Sequence, residues 1–376
     1  MAIEVATAAD LDNVRNNLSG DYILMANIDL DEVSWTPIGP VFSGYFDGNN
    51  KKVININAPL FAGVEKAGVE NLTVEGDVTY DGSVQFGSMG LFSRWIYGSK
   101  IKRVFAIGSV SSASANYWET WYTGGFTGTI TDYWRDSNDE LQNVKCEIDQ
   151  CCFVGDVSLP NADEWSGPFG GFAGTSDVGL RTTGDGITTE GVYITDCFAR
   201  GSVNGNVADW GVGGFLGMAN DYTDMNPSKY SGHIKHCYAA CSLTSGSERT
   251  GGFIGWVWPH TGTEYPPLII NCYYDSEVAN RSDTGKGAPR TTAAMTHPEN
   301  FDTTYIDWDF ETIWRRDPGY NINDGYPHLF PPPVGFNIWV YKSGEWLQVT
   351  DIWVREGGAW KPVSAVDVNK DGWKPV

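Results

Sequence analysis

Basic residues are scarce in this sequence. Among its 376 residues, 25 are Lys or Arg and 47 are Asp or Glu, which gives a formal net charge of −22 at pH 7. Nucleic acids and anionic membrane surfaces are bound mainly through clustered Lys and Arg side chains. We therefore expect neither of them among the partners of this protein.

Long hydrophobic runs are also missing. No stretch approaches the ~18 apolar residues that a membrane-spanning helix needs. Residues 1–20 contain no apolar core of the kind that marks a secretion signal. We therefore expect no membrane insertion and no leader peptide.

Residues that commonly carry catalysis or bind metals are few and unfavourably spaced. The seven Cys are an odd number and form no CxxC pair of the kind found in zinc and redox sites. The five His form no HExxH helix, and no GxSxG stretch occurs. The sequence therefore predicts no metal, no cofactor and no catalytic residue that can be named.

Glycine and aromatic residues, in contrast, are abundant. The chain has 45 Gly, 16 Trp, 18 Tyr and 17 Phe. Aromatic side chains favour strands, and glycines favour the tight turns between them. This composition predicts an all-β protein.

One short pattern recurs six times along the chain. An Ile or Val is followed three residues later by Cys, Val or Leu, usually by Gly four residues further on, and then by Val or Leu. A glycine-rich strand start with a central Phe precedes each copy. The copies span residues 69–78, 101–110, 148–157, 194–203, 234–243 and 269–278.

Each copy has apolar side chains on one face and cannot bury them alone, whereas stacked copies bury a continuous core. The pattern therefore predicts a β-solenoid, or β-helix. The four copies from residue 148 to residue 278 are preceded by longer insertions than the first two. We expect these insertions to form loops stacked at one corner, where recognition residues are often found.

The two ends of the chain differ from the repeats. Residues 7–18 read as a short amphipathic helix that would cap the open end of the solenoid, and residues 290–330 are expected to cover the other end. A proline run at 331–333 predicts a stiff linker before Trp-bearing β-hairpin repeats. The predicted divisions are 1–40 (N-terminal cap and first strands), 41–280 (solenoid with loop insertions), 281–330 (C-terminal cover) and 331–376 (linker and hairpin module).

The repeats resemble the GLUG-motif family. The resemblance is clearest where residues 251–255, Gly-Gly-Phe-Ile-Gly, are followed by residues 269–273, Ile-Ile-Asn-Cys-Tyr. The flanking stretches at 42–48, 308–310 and 323–327 are similar to that family as well. The resemblance implies a β-solenoid over roughly residues 20–330 and says little about activity.

The C-terminal repeats resemble those of phage tail-fibre and other virion proteins. Residues 352–363 carry this similarity. It implies a tail fibre or spike that binds host-surface polysaccharide, contacts other virion or tail subunits, and forms a trimer. The implied location is the virion, assembled in the host cytoplasm without a signal peptide, and the alternative is the bacterial cell surface.

Aromatic and acidic residues in the loops and adjoining turns are the candidate glycan contacts. Flat rings suit the C–H faces of sugars, and carboxylates accept hydrogen bonds from hydroxyl groups. The competing interpretation is that many of these rings pack onto the solenoid wall. Two other functions stay open, a polysaccharide depolymerase that uses loop carboxylates and a purely structural virion component. The candidates are Trp118, Trp121, Tyr133, Trp134, Trp165, Trp210, Tyr222, Asp224, Trp256 and Trp258.

Overall fold

The protein is predominantly β, with long parallel sheets in a β-helix-like arrangement. The structure is a computed structural model. It describes residues 2–80, 87–112, 122–135, 141–161, 166–178, 190–205, 210–221, 232–259 and 269–329, and four strands between 338 and 362. Among the described residues, no helix is long and apolar enough to span a bilayer.

Fifteen parallel strands form the main sheet, and each rung pairs with the rung before it in chain order. Ten strands form its continuous path: Ile3–Val5, Asp21–Leu24, Tyr45–Ile56, Gly68–Tyr80, Lys100–Ser112, Cys152–Ser158, Phe198–Asn204, Tyr238–Thr244, Tyr273–Asp275 and Ala288–Arg290. Five more strands pair beside this path: Ile28–Asp29, Cys146–Asp149, Val192–Thr195, His233–Lys235 and Ile269–Ile270.

Two smaller parallel sheets complete the stack. The narrow sheet consists of Ser88–Met89, Tyr122–Gly124, Phe169–Gly170, Val212–Gly213 and Thr250–Gly251. The third sheet consists of Val64–Glu65, Ser93–Tyr97, Thr127–Thr131, Ala173–Ser176, Leu216–Asp221 and Ile254–Pro259. Each complete repeat therefore adds one strand to each smaller sheet and either one long strand or two consecutive strands to the main sheet. This explains why the sequence pattern recurs.

Non-glycine residues with a left-handed backbone form one corner of each rung. In the fourth copy, Asp196 (φ 52°) lies between the strand Val192–Thr195 and the strand Phe198–Asn204. The same position is left-handed in all six copies, at Asn71, Arg103, Gln150, Asp196, His236 and Asn271. Left-handed φ values are uncommon for residues other than glycine, so the stack enforces this corner.

Glycines within the main-sheet strands allow neighbouring rungs to approach closely. Gly76, Gly108, Gly155 and Gly201 have φ values from +133° to +153°. A Cβ atom on Gly108 would lie 1.8 Å from the carbonyl oxygen of Gly76. Only glycine fits a position with both this backbone angle and this distance.

The core contains a column of phenylalanines and a column of small apolar side chains. The rings of Phe92, Phe126, Phe172, Phe215 and Phe253 stack with centroids 4.8–5.0 Å apart. The second column, at the Cys position of the repeat, is fully or almost fully buried and comprises Leu72, Val104, Cys151, Cys197, Cys237 and Cys272. All seven cysteines of the chain are free and buried, so the column packs the core as a set of small hydrophobic groups.

A short helix closes the N-terminal end of the core. The α-helix Ala8–Asn13 begins at the N-cap Thr7, whose side chain forms a capping box with Asp10. It continues as the 3-10 helix Val14–Asn16 and therefore ends earlier than the predicted residue 18. Leu11 and Val14 face the core and are fully buried.

The segment from 281 to 329, which we call the C-terminal cover, lies mainly along the side of the stack. Its helices are Thr292–Thr296 and Phe301–Thr304, with the 3-10 helix Pro298–Asn300 between them, and Ser276–Ala279 precedes it. The hairpin strands Trp314–Arg315 and His328–Leu329 close it. Its apolar side chains and the outward-facing aromatic residues of the main sheet form a second hydrophobic cluster, which includes Phe105, Cys152, Phe198, Tyr238, Tyr273, Met295, Phe301, Tyr305, Trp308, Trp314, Tyr326 and Leu329.

Only the first part of the cover lies over the end of the stack. Asp283 accepts a hydrogen bond from Gly252 N at 2.9 Å, and Lys286 Nζ donates one to Gly255 O at 2.7 Å. Ala288–Arg290 then pairs with the last rung of the main sheet. The rest of the segment folds along the side because the outward-facing aromatic column there would otherwise be exposed.

Two antiparallel hairpins form the described part of the C-terminal region. Ile338–Lys342 pairs with Glu345–Val349, and Trp353–Glu356 pairs with Ala359–Pro362. The predicted proline linker at 331–333 lies outside the described residues.

Candidate functional site

Four consecutive insertions leave and rejoin the stack along one edge. The third-sheet strands Thr127–Thr131, Ala173–Ser176 and Leu216–Asp221 stack in register, and so do the main-sheet strands Cys146–Asp149 and Val192–Thr195 to which the chain returns. In each of these rungs, the strand before the insertion belongs to the third sheet and the strand after it belongs to the main sheet. We call the described ends of these strands, where each insertion begins and ends, the loop edge.

The base of the loop edge is held by a buried carboxylate. Asp132 is 1% exposed, and its Oδ2 accepts a hydrogen bond of 2.5 Å from Gly191 N in the next rung. The backbone of Asp132 also accepts a bond from Val144 N at 2.9 Å. Because a buried carboxylate needs hydrogen-bond donors, Asp132 ties one insertion to the next.

Two tryptophans and an arginine form a cluster on the outside of the third sheet, which we call the aromatic cluster. The ring centroids of Trp210 and Trp256 lie 5.8 Å apart at an interplanar angle of 50°. The Arg249 guanidinium carbon lies 3.7 Å from the centroid of the Trp256 ring, in a cation–π contact. Both tryptophans are half-buried and Arg249 is exposed.

Backbone geometry positions the aromatic cluster. Trp256 lies in the strand Ile254–Pro259, where it pairs with Met218 of the preceding rung. A Cβ atom on Gly211 would lie 3.0 Å from Trp256 Cβ, so the glycine beside Trp210 allows the two segments to meet. The backbone carbonyl of Arg249 accepts a hydrogen bond of 3.0 Å from Val212 N. This bond holds the backbone of Arg249 against the rung that contains Trp210.

The structure brings together two of the ten predicted glycan contacts, Trp210 and Trp256. Tyr133 and Trp134 lie on Tyr133–Arg135, which pairs with Leu141–Asn143, and Trp258 lies in Ile254–Pro259, but their side chains are outside the described part of the chain. The remaining five lie outside the described residues and are Trp118, Trp121, Trp165, Tyr222 and Asp224. Their assignment to a glycan site stays a prediction, as do the polysaccharide partner and the trimer.

Arg249 was missed by the sequence prediction. The signal that could have revealed it is its isolation, since no other basic residue occurs between Lys235 and Arg281. Arg249 lies two residues before the Gly-Gly-Phe segment of its rung. At this point Trp210 and Trp256 of two neighbouring rungs lie side by side.

The buried thiols of Cys146, Cys197 and Cys241 are poorly suited to nucleophilic catalysis. Burial raises the pKa of Cys146 and Cys241 to about 12 and that of Cys197 well above its ordinary value. Burial, followed by the charges of Lys235 and other neighbours, lowers the pKa of His233. Within the described ranges, no group of three or more His, Cys, Asp or Glu side chains could hold a metal ion.

Comparisons with known proteins agree with a β-solenoid-type repeat protein. No protein-family model matches the chain. A crystal structure from Bacteroides ovatus, provisionally named an immunoglobulin A1 protease, matches with a TM-score of 0.55 and 17% identity, over 87% of this chain and 92% of that one. This likeness shows the fold alone.

Sequence relatives are much longer than the region they share with this chain. A protein of Evansella cellulosilytica, provisionally named a Gly-rich membrane protein, is 32% identical over 136 residues, which is 36% of this chain and 13% of the relative. An immunoglobulin A1 protease of Streptococcus pneumoniae is 25% identical over 274 residues, and one of Streptococcus sanguinis is 23% identical over 264. The matches to the two proteases cover 63% of this chain but only 12–13% of the proteases.

The predicted identity as a phage tail fibre or spike is wrong. The relatives are named immunoglobulin A1 proteases and a membrane protein, and nothing in the comparisons points to a virion. The prediction depended on the Trp-bearing C-terminal repeats. In the structure these are short antiparallel hairpins, a local motif that proteins of many classes use.

Proposed function

We propose that this chain is a non-catalytic recognition module of a longer cell-surface or secreted protein, and that its aromatic cluster is the centre of a protein-binding surface. In finer detail, we propose a GLUG-type solenoid capped by the helix Ala8–Asn13 and followed by a separate hairpin module. The proportions of the sequence matches support a module, because the shared region is a small part of each relative.

The observation that carries this proposal is the contact of Arg249 with Trp256 beside Trp210. Tryptophan and arginine are the residue types most enriched among interface residues that contribute most of the binding energy. The two tryptophans are half-buried and Arg249 is exposed. Trp256 lies in a paired strand, and Trp210 and Arg249 lie within two residues of the strands Val212–Gly213 and Thr250–Gly251. A partner can therefore bury them at a small further cost in conformational entropy.

The names of the streptococcal relatives suggest the target to test. They are immunoglobulin A1 proteases, and a long protease gains from a module that holds its substrate. We propose that the aromatic cluster, together with the adjoining loop edge, binds an immunoglobulin of this type and leaves cleavage to other parts of a longer protein.

Binding and cleavage can be measured on the same purified chain. Immobilised immunoglobulin A1 should retain it in a biosensor experiment, and electrophoresis after prolonged incubation should show intact immunoglobulin. Trp256→Ala and Arg249→Ala should each weaken binding by roughly 30-fold, which corresponds to about 2 kcal/mol for a central interface residue.

Two control variants outside the aromatic cluster show whether a loss of binding is specific to that cluster. Tyr320→Ala removes an exposed ring, and Arg281→Ala removes a guanidinium that bonds the neighbouring Asn280 carbonyl. Both should bind as the parent does. Absence of binding by the parent chain, or unchanged binding by folded Trp256→Ala, would contradict the proposed surface, and cleavage by the purified chain would contradict its non-catalytic character.

A further inference from the structure

One strand column of the main sheet ends at an edge without a neighbour. Its last four strands stack in parallel register, Cys146–Asp149 beside Val192–Thr195, then His233–Lys235, then Ile269–Ile270. No strand in the described part of the chain pairs with the outer side of Ile269–Ile270, which we call the open edge. The neighbouring path of the main sheet continues one rung further, through Ala288–Arg290. The stack therefore ends in a step that is one strand deep.

The exposure of the core isoleucines shows that the column lacks its next member. Ile148, Ile194 and Ile234 have a paired rung on both sides and are 0% exposed. Ile269 pairs with Ile234 in the same register but is only half-buried. A further strand beside it would bury the remaining apolar surface, which is favourable.

Backbone N–H groups at the corner of each rung point to the rung that follows. Asp196 N donates to Lys235 O, and His236 N donates to Ile270 O, each at 3.0 Å. Asn271 N is the next member of this series, and it has no acceptor among the residues that the structure describes. Asn271 is half-buried. Because a buried or half-buried N–H without an acceptor is unfavourable, a carbonyl oxygen would complete the series.

The carbonyl groups of the core isoleucines point the same way. Cys272 Sγ, in the last rung, donates to Ile234 O of the rung before it at 3.4 Å. The equivalent Ile269 O therefore points away from the stack. In parallel pairing, one residue of an added strand donates to such a carbonyl and accepts from the N–H two residues later, which here is Asn271 N. These two groups match the spacing of a peptide backbone.

A cavity of about 390 Å³ lies against the open edge. Ile269, Asn271, Ala288 and Ile306 are among the residues that line it. Ile306 belongs to the C-terminal cover and is 43% exposed, and its backbone N donates to Tyr273 Oη at 3.2 Å. An apolar wall opposite unpaired backbone groups suits an extended chain that carries an apolar side chain.

Arg290 gives the cavity a positive charge. Its guanidinium carbon lies 4.8 Å from the centroid of the Tyr273 ring, and its Nη1 donates to Pro289 O at 2.9 Å. It forms no ion pair within the described ranges, where Asp307 instead accepts a hydrogen bond from the Asn271 side chain at 3.2 Å. In a chain of net charge −22, an arginine without an acidic partner at the wall of a cavity favours a carboxylate in the ligand.

We propose that the open edge binds an extended segment of a partner protein as one added parallel strand. This segment places a branched apolar side chain beside Ile269 and a carboxylate near Arg290, and its backbone pairs with Ile269 O and Asn271 N. Addition of a strand to an exposed sheet edge is an established mode of peptide recognition. The surface is separate from the aromatic cluster, so this inference does not depend on the function proposed above.

An inner strand of the same column shows the chemistry that fits. Residues 192–196 are Val-Tyr-Ile-Thr-Asp. Ile194 packs between the isoleucines of the two adjoining rungs, and Asp196 follows at the corner. A partner segment of this type would continue the column with the same side chains that the stack already uses.

Fluorescence anisotropy of a labelled peptide on the full chain tests the proposal. The probe is Glu-Gly-Val-Tyr-Ile-Thr-Asp, the sequence of residues 190–196, with both ends blocked. We expect saturable binding with a Kd of about 10–100 µM. Methylation of the Thr backbone nitrogen removes the donor to Ile269 O and should weaken binding at least about tenfold. Lys in place of the final Asp should weaken it at least about threefold.

Protein variants locate the binding surface. Ile306→Asp removes apolar surface from the cavity wall and adds a charge that repels the probe, so it should weaken binding at least about tenfold. Val33→Asp makes a comparable change at an exposed residue distant in sequence and should bind as the parent does. If circular dichroism shows that Ile306→Asp is unfolded, Ile306→Ala replaces it and should weaken binding at least about threefold.

Hydrogen–deuterium exchange reports where the probe pairs. A saturating probe should slow amide exchange in the fragment 269–275, which contains Asn271, and should leave the fragment around Val33 unchanged. The N-methylated probe at the same concentration should give little protection. This readout does not depend on the affinity change in any variant.

Several results would overturn the inference. They are absence of probe binding, equal binding of the N-methylated probe, equal binding by folded Ile306→Asp, an equal loss in Val33→Asp, and protection confined to other parts of the chain. Sedimentation of the parent provides a further check. A dimer that the probe dissociates would show that a second copy occupies the open edge, and the partner segment would then be wrong.

Discussion

The indole N–H of Trp314 donates a hydrogen bond of 2.9 Å to the carboxylate of Asp196, which lies 118 residues earlier in the chain. Asp196 is the left-handed corner residue of its rung and is 4% exposed. His236 Nδ1, at the same corner of the next rung, lies 3.5 Å from the same carboxylate. This contact therefore joins the C-terminal cover to the turn that defines the repeat.

Replacing Trp314 tests how strongly the cover stabilises the stack. Trp314 is fully buried, so Trp314→Ala should lower the free energy of unfolding by about 3–5 kcal/mol. Trp314→Phe keeps an aromatic ring but removes the indole N–H that donates to Asp196, and it should cost about 1–3 kcal/mol. Urea unfolding followed by circular dichroism measures both values.

The matched control for Trp314 is Tyr320, an exposed ring in the same cover. Tyr320→Ala should change stability by less than about 0.5 kcal/mol. Equal effects of Trp314→Ala and Tyr320→Ala would show that the cover adds nothing to the stability of the stack.

The repeat architecture could be predicted because the same chemistry recurs at every rung. Ile148, Cys151, Gly155 and Val157 each have counterparts in neighbouring copies, and in the structure these counterparts stack in register. A recurring pattern identifies side chains that pack against the equivalent side chains of the next copy, because each copy in a solenoid contacts only the copies beside it.

The path of the C-terminal cover was not predicted, although a signal was present. An aromatic residue follows the core cysteine in three copies, as Phe198, Tyr238 and Tyr273. Strand alternation directs these rings outward, so an apolar column on the outside of the sheet required a cover along its side. The contact partners, such as Trp314, are too distant in sequence for periodicity to identify them.

The functional prediction failed for a different reason. It rested on the Trp-bearing hairpins after residue 338, whose geometry is local and common to unrelated proteins.

The carboxylate of Asp317 should make stability depend on acid pH. Burial alone would raise its pKa, but backbone N–H donors from Asn321, Ile322, Asn323 and Gly325 outweigh burial and hold the pKa below the ordinary value of 3.8. A lowered pKa in the folded state means that the ionised group stabilises the fold above the unfolded-state pKa. This contribution is lost as the pH falls below about 3.8 and through the folded-state value.

Asp317→Asn isolates that contribution. The variant should melt below the parent at pH 7, and the gap in melting temperature should narrow as the pH falls below about 3.8, because the unfolded parent then takes up a proton more readily than the folded parent does. Asp302→Asn removes an exposed carboxylate paired with Arg316 and serves as the control, with a small effect at both pH values. A gap that stays constant from pH 7 to pH 3 would contradict the role assigned to the charge.

Gly155, which stacks between Gly108 and Gly201, should tolerate no side chain. A Cβ atom on Gly155 would lie 1.7 Å from the carbonyl oxygen of Gly108, at a φ of +149°. Gly155→Ala must therefore separate two rungs and should prevent folding or lower the melting temperature sharply. Gly285→Ala has a positive φ of +85° but no atom within 4 Å of the added group, so it should cost only about 1 kcal/mol.

Comparing these two alanine variants by thermal melting separates steric exclusion from backbone strain. Similar melting temperatures for Gly155→Ala and Gly285→Ala would show that the rungs are free to move apart. The expected difference in favour of Gly285→Ala would establish close contact of the rungs as the reason for the recurring glycine.

The seven thiols should be unreactive in the folded protein. All seven are free and buried, and burial raises the pKa of Cys151, Cys197 and Cys237 well above its ordinary value. Because the thiolate is the reactive form, a thiol reagent such as DTNB should modify none of them at pH 8 under native conditions. In concentrated guanidinium chloride without reductant, it should modify all seven. Fewer than seven in denaturant would reveal a disulfide, and rapid labelling of the native protein would mean that the stack opens around its cysteine column.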